Sequence, residues 1–399
     1  MNLSQGRTYL AIPGPSVVPD RVLNAMHRAS PNIYEGEIHE ITATILTNLR
    51  RLANTTSHVA IYIVNGHGAW EAANANLFSR GDKALVVATG SFGHSWANAV
   101  RRMGVEVDIL EFGKQRRADT EQIEHALRAD KAHSIRAVLL THVDTASTVR
   151  NDVAAVRAAI DAARHPALLA VDCIASLGCD PFFMDQWGVD VMVAASQKGL
   201  MVPPGLGFVW FSDKARAACA ESDLRTPYWD WGPRAFADEY WQYFCGTAPT
   251  HHLYGLHESL KMVLDEEGLH NVWARHRQLA QAVWAAADAW ASGGDIALNV
   301  PLADQRGASV TALRVGNGHG ARLRKWCEVN AGVTLGIPLG MALPHEPAYA
   351  DFLRIGHMGH VNAHMVLGVL SVMEAGMKAL GVPHGTGALD EAAAAIAAT

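Results

Sequence analysis

The chain has 399 residues, 49% of them apolar and 18% charged, with a net charge of −6. That length exceeds one typical core and predicts a large domain beside a smaller one, and the charge leaves no basic footprint for nucleic acid. Five cysteines without a C-x-x-C pair suit a reducing cytoplasm and no disulfide framework, and neither a signal-peptide core nor a membrane-spanning apolar run is read.

Short apolar strands alternate with amphipathic stretches through the first half of the chain. Strands are predicted at 59–64, 83–88, 106–110, 137–141, 167–172, 189–195 and 207–211, with helices at 69–78, 120–129 and 153–163 among them. This alternation predicts an α/β architecture, a mostly parallel seven-stranded sheet covered by helices. Residues 253–291 read as one long helix leading out of the large domain. Beyond it, strands near 309–315 and 352–355 and helices near 321–330 and 363–380 predict a small C-terminal α+β domain. The organisation is then an N-terminal segment 1–20, a large domain 21–280 and a small domain 281–399. The Ala-rich tail 391–399 is expected to fray.

Ligands of such sheets sit at the carboxyl ends of the strands. The apolar run 167–171 ends in Asp172, and the run 189–195 leads into Ser196-Gln197-Lys198. Taken singly, a lysine after a strand is usually a solvated residue. Here Gly199 and Pro203-Pro204-Gly205 follow, which fixes a tight connection instead of a helix. A carboxylate and an amine at two strand ends are what pyridoxal phosphate needs. The amine takes the cofactor aldehyde as a Schiff base, and the carboxylate keeps the pyridine nitrogen protonated.

Other segments fit the same ligand. Asn65-Gly66-His67-Gly68 follows the first strand and opens a helix, which suits a phosphate held by backbone amides; Glu71 breaks the dinucleotide fingerprint. Phe92, after a strand, offers a ring to stack on a flat cofactor, and Thr145 a hydroxyl for its phenolic oxygen. Arg354, inside the apolar Phe352-Leu353-Arg354-Ile355, offers a planar fork to an α-carboxylate. His357, His360 and His364 are spaced by three and four, but Gly359 interrupts any helix there and no acid or cysteine completes a set, so no metal is assigned. Trp70, Trp229, Trp231 and Trp241 read as core or interface aromatics.

Together, Pro13-Gly14-Pro15-Ser16, the V-D-x-x-x-S-x-G run from Val171 to Gly178, Ser196-Gln197-Lys198 with its Pro-Pro-Gly, and Leu353-Arg354-Ile355-Gly356 resemble the class V (fold type I) pyridoxal-phosphate aminotransferases. The branch they resemble is that of the alanine–glyoxylate and serine–glyoxylate enzymes. The resemblance implies roles. Lys198 is the Schiff-base lysine and proton carrier, Asp172 the partner of the pyridine nitrogen, and Phe92 the stacking ring. Gly66, His67, Gly68 and Gln197 lie at the phosphate, and Thr247 reaches the phosphate of a neighbouring subunit in a homodimer. Arg354 clamps the α-carboxylate, with Ser16 and Tyr34 on the substrate side. Three departures stand out: Phe244 replaces a frequent tyrosine, Asn65-Gly66 replaces a more usual Ser/Thr-Gly, and the entrance segment Tyr34-Glu35-Gly36-Glu37 lacks the His-Arg-Ser-Pro run that some glyoxylate enzymes carry. The implied reaction passes an amino group from alanine, serine or aspartate to a 2-oxo acid such as glyoxylate or pyruvate. Alternatives on the same fold are a lyase or desulfurase, and a transaminase of aminoethylphosphonate or pyridoxamine; a cofactor-binding regulatory module is a third class.

Overall fold

The computed structural model describes residues 3–220 and 222–398. Strand β1 (Tyr9–Ala11) precedes helices α1 (Asp20–Met26) and α2 (Glu37–Ala53). There follow β2 (His58–Tyr62), α3 (Gly66–Leu77), β3 (Lys83–Ala88), α4 (Ser91–Arg102), β4 (Glu106–Glu111), α5 (Thr120–Ala129), β5 (Ile135–Thr141) and α6 (Val153–Ala162). Then come β6 (Leu168–Asp172), β7 (Val191–Ala195), β8 (Gly207–Phe211), α7 (Asp213–Ala218) and α8 (Trp231–Ala235). The C-terminal part holds α9 (Thr250–Lys261), α10 (Leu269–Ala291), β9 (Ile296–Leu298), β10 (Val310–Val315), α11 (His319–Ala331), β11 (Val333–Leu335), β12 (Phe352–Gly356), α12 (Ala363–Leu380) and α13 (Ala388–Ala397).

All seven strands expected from the sequence join one sheet in the order β2-β8-β7-β6-β5-β3-β4. Only β8 runs against its neighbours, β2 and β7; the other pairs are parallel. Strands β6, β7 and β8 are buried at every position, as a sheet covered on both faces requires. Alternate residues feed two apolar layers. Val171 and Met192 face the layer containing α2 and α9, while Ala170 and Val193 face the one containing α3 and α4.

A three-stranded antiparallel sheet, β12-β10-β9, carries a separate apolar cluster with α10, α11, α12 and α13. Helix α10 passes from one body to the other: Val272 packs with the large sheet, and Leu279 and Val283 with the small one. Strand β1 leaves the N-terminal segment to pair in parallel with β11.

Two expectations are corrected. The helix read across 253–291 is broken. A π-helical turn at Met262–Glu266 and Gly268, at φ +82°, separate α9 from α10, because the apolar pattern on either side does not report a break made by one glycine. The tail does not fray through 397: α13 packs on α10, and Gln278 donates to the carbonyls of Ile396 and Ala398. Helix α12, at 18 residues and mean hydropathy 1.3, is long and apolar enough to cross a membrane by length and composition. In the structure Val366, Leu370, Met373 and Met377 pack into the small-sheet core.

Candidate active site

The adjacency of β6 and β7 decides the site. Asp172 is the last residue of β6 and pairs with Val193, so the turn leaving β7 passes beside it. The Asp172 carboxylate accepts from the Ile174 amide at 2.7 Å and from Trp70 Nε1 at 3.2 Å. Burial nevertheless pushes its pKa up to about 7, since two donors do not repay lost hydration. Beyond β7, Ser196 Oγ donates to the Pro203 carbonyl at 2.8 Å, tying the Pro-Pro connection back on itself. At Gly199 a Cβ would lie 2.2 Å from the Leu177 carbonyl, so only glycine lets this turn close against the loop after Asp172. Lys198 is thereby aimed into the cavity. Burial, reinforced by the charge of Arg354, pushes its amine down to about 8, and Nζ donates to the Pro13 carbonyl.

Helix α3 begins at the end of β2. Its N-cap, Asn65, accepts from the His67 and Gly68 amides at 3.1 and 3.3 Å. The amides assigned to phosphate thus share an internal acceptor, and the Asn65 departure is a capping choice. At the start of α4, Asp144 gathers the neighbouring loops. Its buried carboxylate accepts from Phe92, Gly93, Ala146 and Ser147 amides, at 2.7, 3.3, 2.9 and 3.2 Å. Phe92 and the turn that follows Thr145 are therefore held by one carboxyl group. The sequence reading passed over Asp144, although an acid at a strand end just before Thr145 was a signal.

A cavity of about 200 Å³ opens between these strand ends. Gly66, His67, Phe92, Thr145, Asp172, Gln197 and Lys198 line it, joined by Asn65, Trp70 and Ile174, which sequence reasoning did not assign to a site. Trp70 is one helical turn beyond Gly66, and Ile174 is two residues beyond Asp172, so both positions were readable from spacing alone.

The other assigned residues lie elsewhere. Gly68 turns its Cα to Val64, where a Cβ would lie 2.5 Å from Val64 Cβ; its smallness serves helix-on-strand packing. Arg354 sits behind the cavity, donating from Nη1 to the Thr145 carbonyl and from Nε to the Ile337 carbonyl, both at 2.8 Å. Those two bonds fix the guanidinium plane and leave Nη2 without a hydrogen bond among the described residues. Ser16 Oγ donates to the Lys198 carbonyl at 2.7 Å, which puts it on the lysine backbone. Tyr34 is 85% exposed, and Thr247 is also exposed; within one chain neither joins the cavity. The His357 ring is occupied by Thr311 Oγ1 at 2.8 Å and the Ala308 carbonyl at 2.9 Å. Among the described residues no three His, Cys, Asp or Glu side chains are grouped to hold a metal ion.

The cavity suits pyridoxal phosphate. A buried carboxylate lacking a full countercharge stands at one end, and the positive end of α3 at another. Phe92 and Ile174 supply apolar walls, and the Gln197 Oε1 atom is buried without a partner.

Comparison with known proteins agrees with that chemistry. The family described as aminotransferase class-V matches residues 8–358. The chain is 37% identical to the serine–glyoxylate aminotransferase of Methylorubrum extorquens, over 92% of this chain and 90% of that one. It is 36% identical to the L-aspartate–glyoxylate aminotransferase of Paracoccus denitrificans, over 93% and 91%. The fold matches that of the ureidoglycine–glyoxylate aminotransferase of Bacillus subtilis with a TM-score of 0.87 at 24% identity, covering 99% of both chains. The chain belongs to the class-V aminotransferases, enzymes that work with pyridoxal phosphate.

Proposed function

We propose that this aminotransferase takes the amino group of a small amino acid, with serine, alanine or aspartate as the candidate donors, and passes it to glyoxylate or pyruvate. The convergence of Lys198 and Asp172 in one cavity, with Arg354 fixed behind Thr145, carries this reading. The serine–glyoxylate and aspartate–glyoxylate relatives support glyoxylate as the acceptor and do not choose among the donors.

When bound, pyridoxal phosphate supplies the electron sink that makes a substrate Cα–H acidic. The residues of this chain do the rest. Asp172 holds a proton on the ring nitrogen, and Trp70 and the Ile174 amide keep its carboxylate aimed. Phe92 and Ile174 exclude water from the ring faces. Gly66, His67 and Gln197, which line one cavity, would hold the phosphate, and Thr145 would donate to the phenolic oxygen. Lys198 carries the proton between the substrate Cα and the C4′ atom, as an amine whose pKa lies near working pH. Arg354 receives the α-carboxylate at Nη2 and holds the substrate in the cavity by it. We further propose a cytoplasmic homodimer in which the exposed Thr247 and Tyr34 complete the partner's site.

A desulfurase reading is less well supported. Cys173, Cys179, Cys219 and Cys327 are buried and their thiols are pushed up in pKa by that burial, which opposes a nucleophilic thiolate at those four positions, and the partly buried Cys245 does not line the cavity.

The test is a spectral titration. The loaded enzyme is expected to lose its visible cofactor band on adding one of the three donors and regain it with glyoxylate or pyruvate. A band that no amino acid bleaches would rule out transfer from amino acids.

Two further outcomes are expected. Arg354→Lys keeps the charge but loses the fork, at about 2 kcal/mol for the charged hydrogen bonds. KM should then rise roughly 30-fold for amino acid and oxo acid alike, with a smaller change in kcat; steady-state kinetics on both substrates measures this. Capture of pyridoxal phosphate by cofactor-free protein requires the unprotonated Lys198 amine. Its rate should therefore climb as pH rises through about 8 and level off above it, as stopped-flow absorbance would show.

A further inference from the structure

The N-terminal segment meets the catalytic lysine at more points than chain connectivity requires. After β1, which pairs with β11, residues 12–16 cross to the strand ends of the large sheet. Lys198 Nζ donates to the Pro13 carbonyl. Ser16 donates from Oγ to the Lys198 carbonyl at 2.7 Å and from its amide to the Gln197 carbonyl at 2.9 Å. Between them Gly14 stands at φ +97°, where a Cβ would lie 2.5 Å from Lys198 Nζ and 2.6 Å from its Cδ. The strap is thus shaped to the lysine side chain along its length, and glycine is the residue that leaves room for it.

The same strap touches the strand that carries Arg354. The Ile12 carbonyl lies 2.1 Å from where a Cβ on Gly356 would be, and Pro13 Cδ 2.6 Å from the same point on Gly336. Gly336 and Arg354 exchange backbone hydrogen bonds at 2.8 and 3.0 Å. One short segment therefore packs on the amine of Lys198 and on the backbone beneath the carboxylate-binding arginine.

We propose that the strap 12–16 is a positioning element that docks the Lys198 amine on the Pro13 carbonyl whenever that nitrogen is not bonded to the cofactor. The inference rests on Lys198 being the lysine that bonds the cofactor. A neutral amine docked in this way spends one N–H on the carbonyl and keeps its lone pair to accept the substrate proton. A carbonyl suits that task because it orients the amine without taking its proton, as a carboxylate would. In the form that carries pyridoxamine phosphate the nitrogen is free and the dock is filled. In the pyridoxal phosphate form the nitrogen is drawn to the cofactor and the Pro13 carbonyl loses its donor. Gly14 and Ser16 then sit in a strap held by one bond fewer.

Hydrogen–deuterium exchange on the full-length enzyme in its pyridoxal phosphate and pyridoxamine phosphate forms tests this. The Gly14 and Ser16 amides should exchange about tenfold more slowly in the pyridoxamine phosphate form, the worth of one net hydrogen bond. Ser16→Ala should shrink that difference and Ser16→Thr should retain it. Equal exchange in the two forms, or an undiminished difference in Ser16→Ala, overturns the dock. The absorbance of the pyridoxal phosphate form separates the two ideas. If Lys198→Ala leaves the lysine-linked band in place, the assignment of Lys198 itself fails. If the band depends on Lys198 while strap exchange is indifferent to cofactor form, only the dock fails.

Discussion

Lys198→Ala is expected to lower turnover by about 10⁴-fold, because one substitution removes both the covalent anchor and the proton carrier. The lysine-linked absorbance band should disappear with it, although pyridoxal phosphate can still be retained through its phosphate and ring contacts. A folding defect would be the competing explanation, and the structure argues against one. The amine is held below its ordinary pKa by burial, so it resists folding as a cation more than it helps. The variant should therefore melt at or above the wild-type temperature when both are cofactor-free. Turnover within tenfold of wild type, in a preparation free of wild-type enzyme, would reject the assignment.

The second large effect is at Asp172, where activity and stability should move in opposite directions. Asp172→Asn keeps a group of the same shape beside Trp70 but cannot hold the ring nitrogen protonated, and turnover should fall roughly 10²–10³-fold. The stability effect follows from burial. The folded carboxyl has its pKa raised from 3.8 to about 7. Below pH 3.8 it is protonated in both folded and unfolded chains and contributes nothing. Between there and about pH 7 the unfolded chain releases the proton and the folded one does not, so stability falls as pH rises across that window. Above it the loss is complete and constant. Cofactor-free Asp172→Asn lacks this penalty and should melt higher than wild type at pH 8, with the gap closing toward pH 4. Thermal melts at a series of pH values check the sign. An equal gap at both ends would mean that the carboxyl is not the source.

Local patterning made much of this protein legible. Seven apolar runs bounded by turn residues marked the seven strands of the large sheet to within about two residues at most ends. Asp172 and Lys198 could be found because each ends such a run. Where the run stops, a strand stops, and in a parallel sheet that is where ligands bind. Phe92, Thr145 and Gly66 were found by the same rule, since each follows a strand directly. Arg354 stood out because a guanidinium inside an apolar strand demands a partner.

Other features depend on contacts between residues far apart in the chain, which no local pattern encodes. Strand order is one: β6 and β7 are consecutive and adjacent, but β8 runs antiparallel between β7 and β2, the first strand of the sheet in the chain. The partners of Arg354 are another, because Thr145 and Ile337 reach it only after the small sheet has packed on the large one. Asn65 read as an odd start to a phosphate loop and proved to be the cap of α3, a role set by the direction in which the chain leaves β2. Gly268 broke a helix that its neighbours favoured, and α13 gained order by docking on α10 when its own composition promised none. The sequence alone determined which groups stand at the strand ends, because apolar periodicity and turn chemistry act over a few residues. The tertiary structure decided how those groups are aimed, hydrogen-bonded and shifted in pKa, because desolvation and the pairing of loops exist only once the sheets have packed.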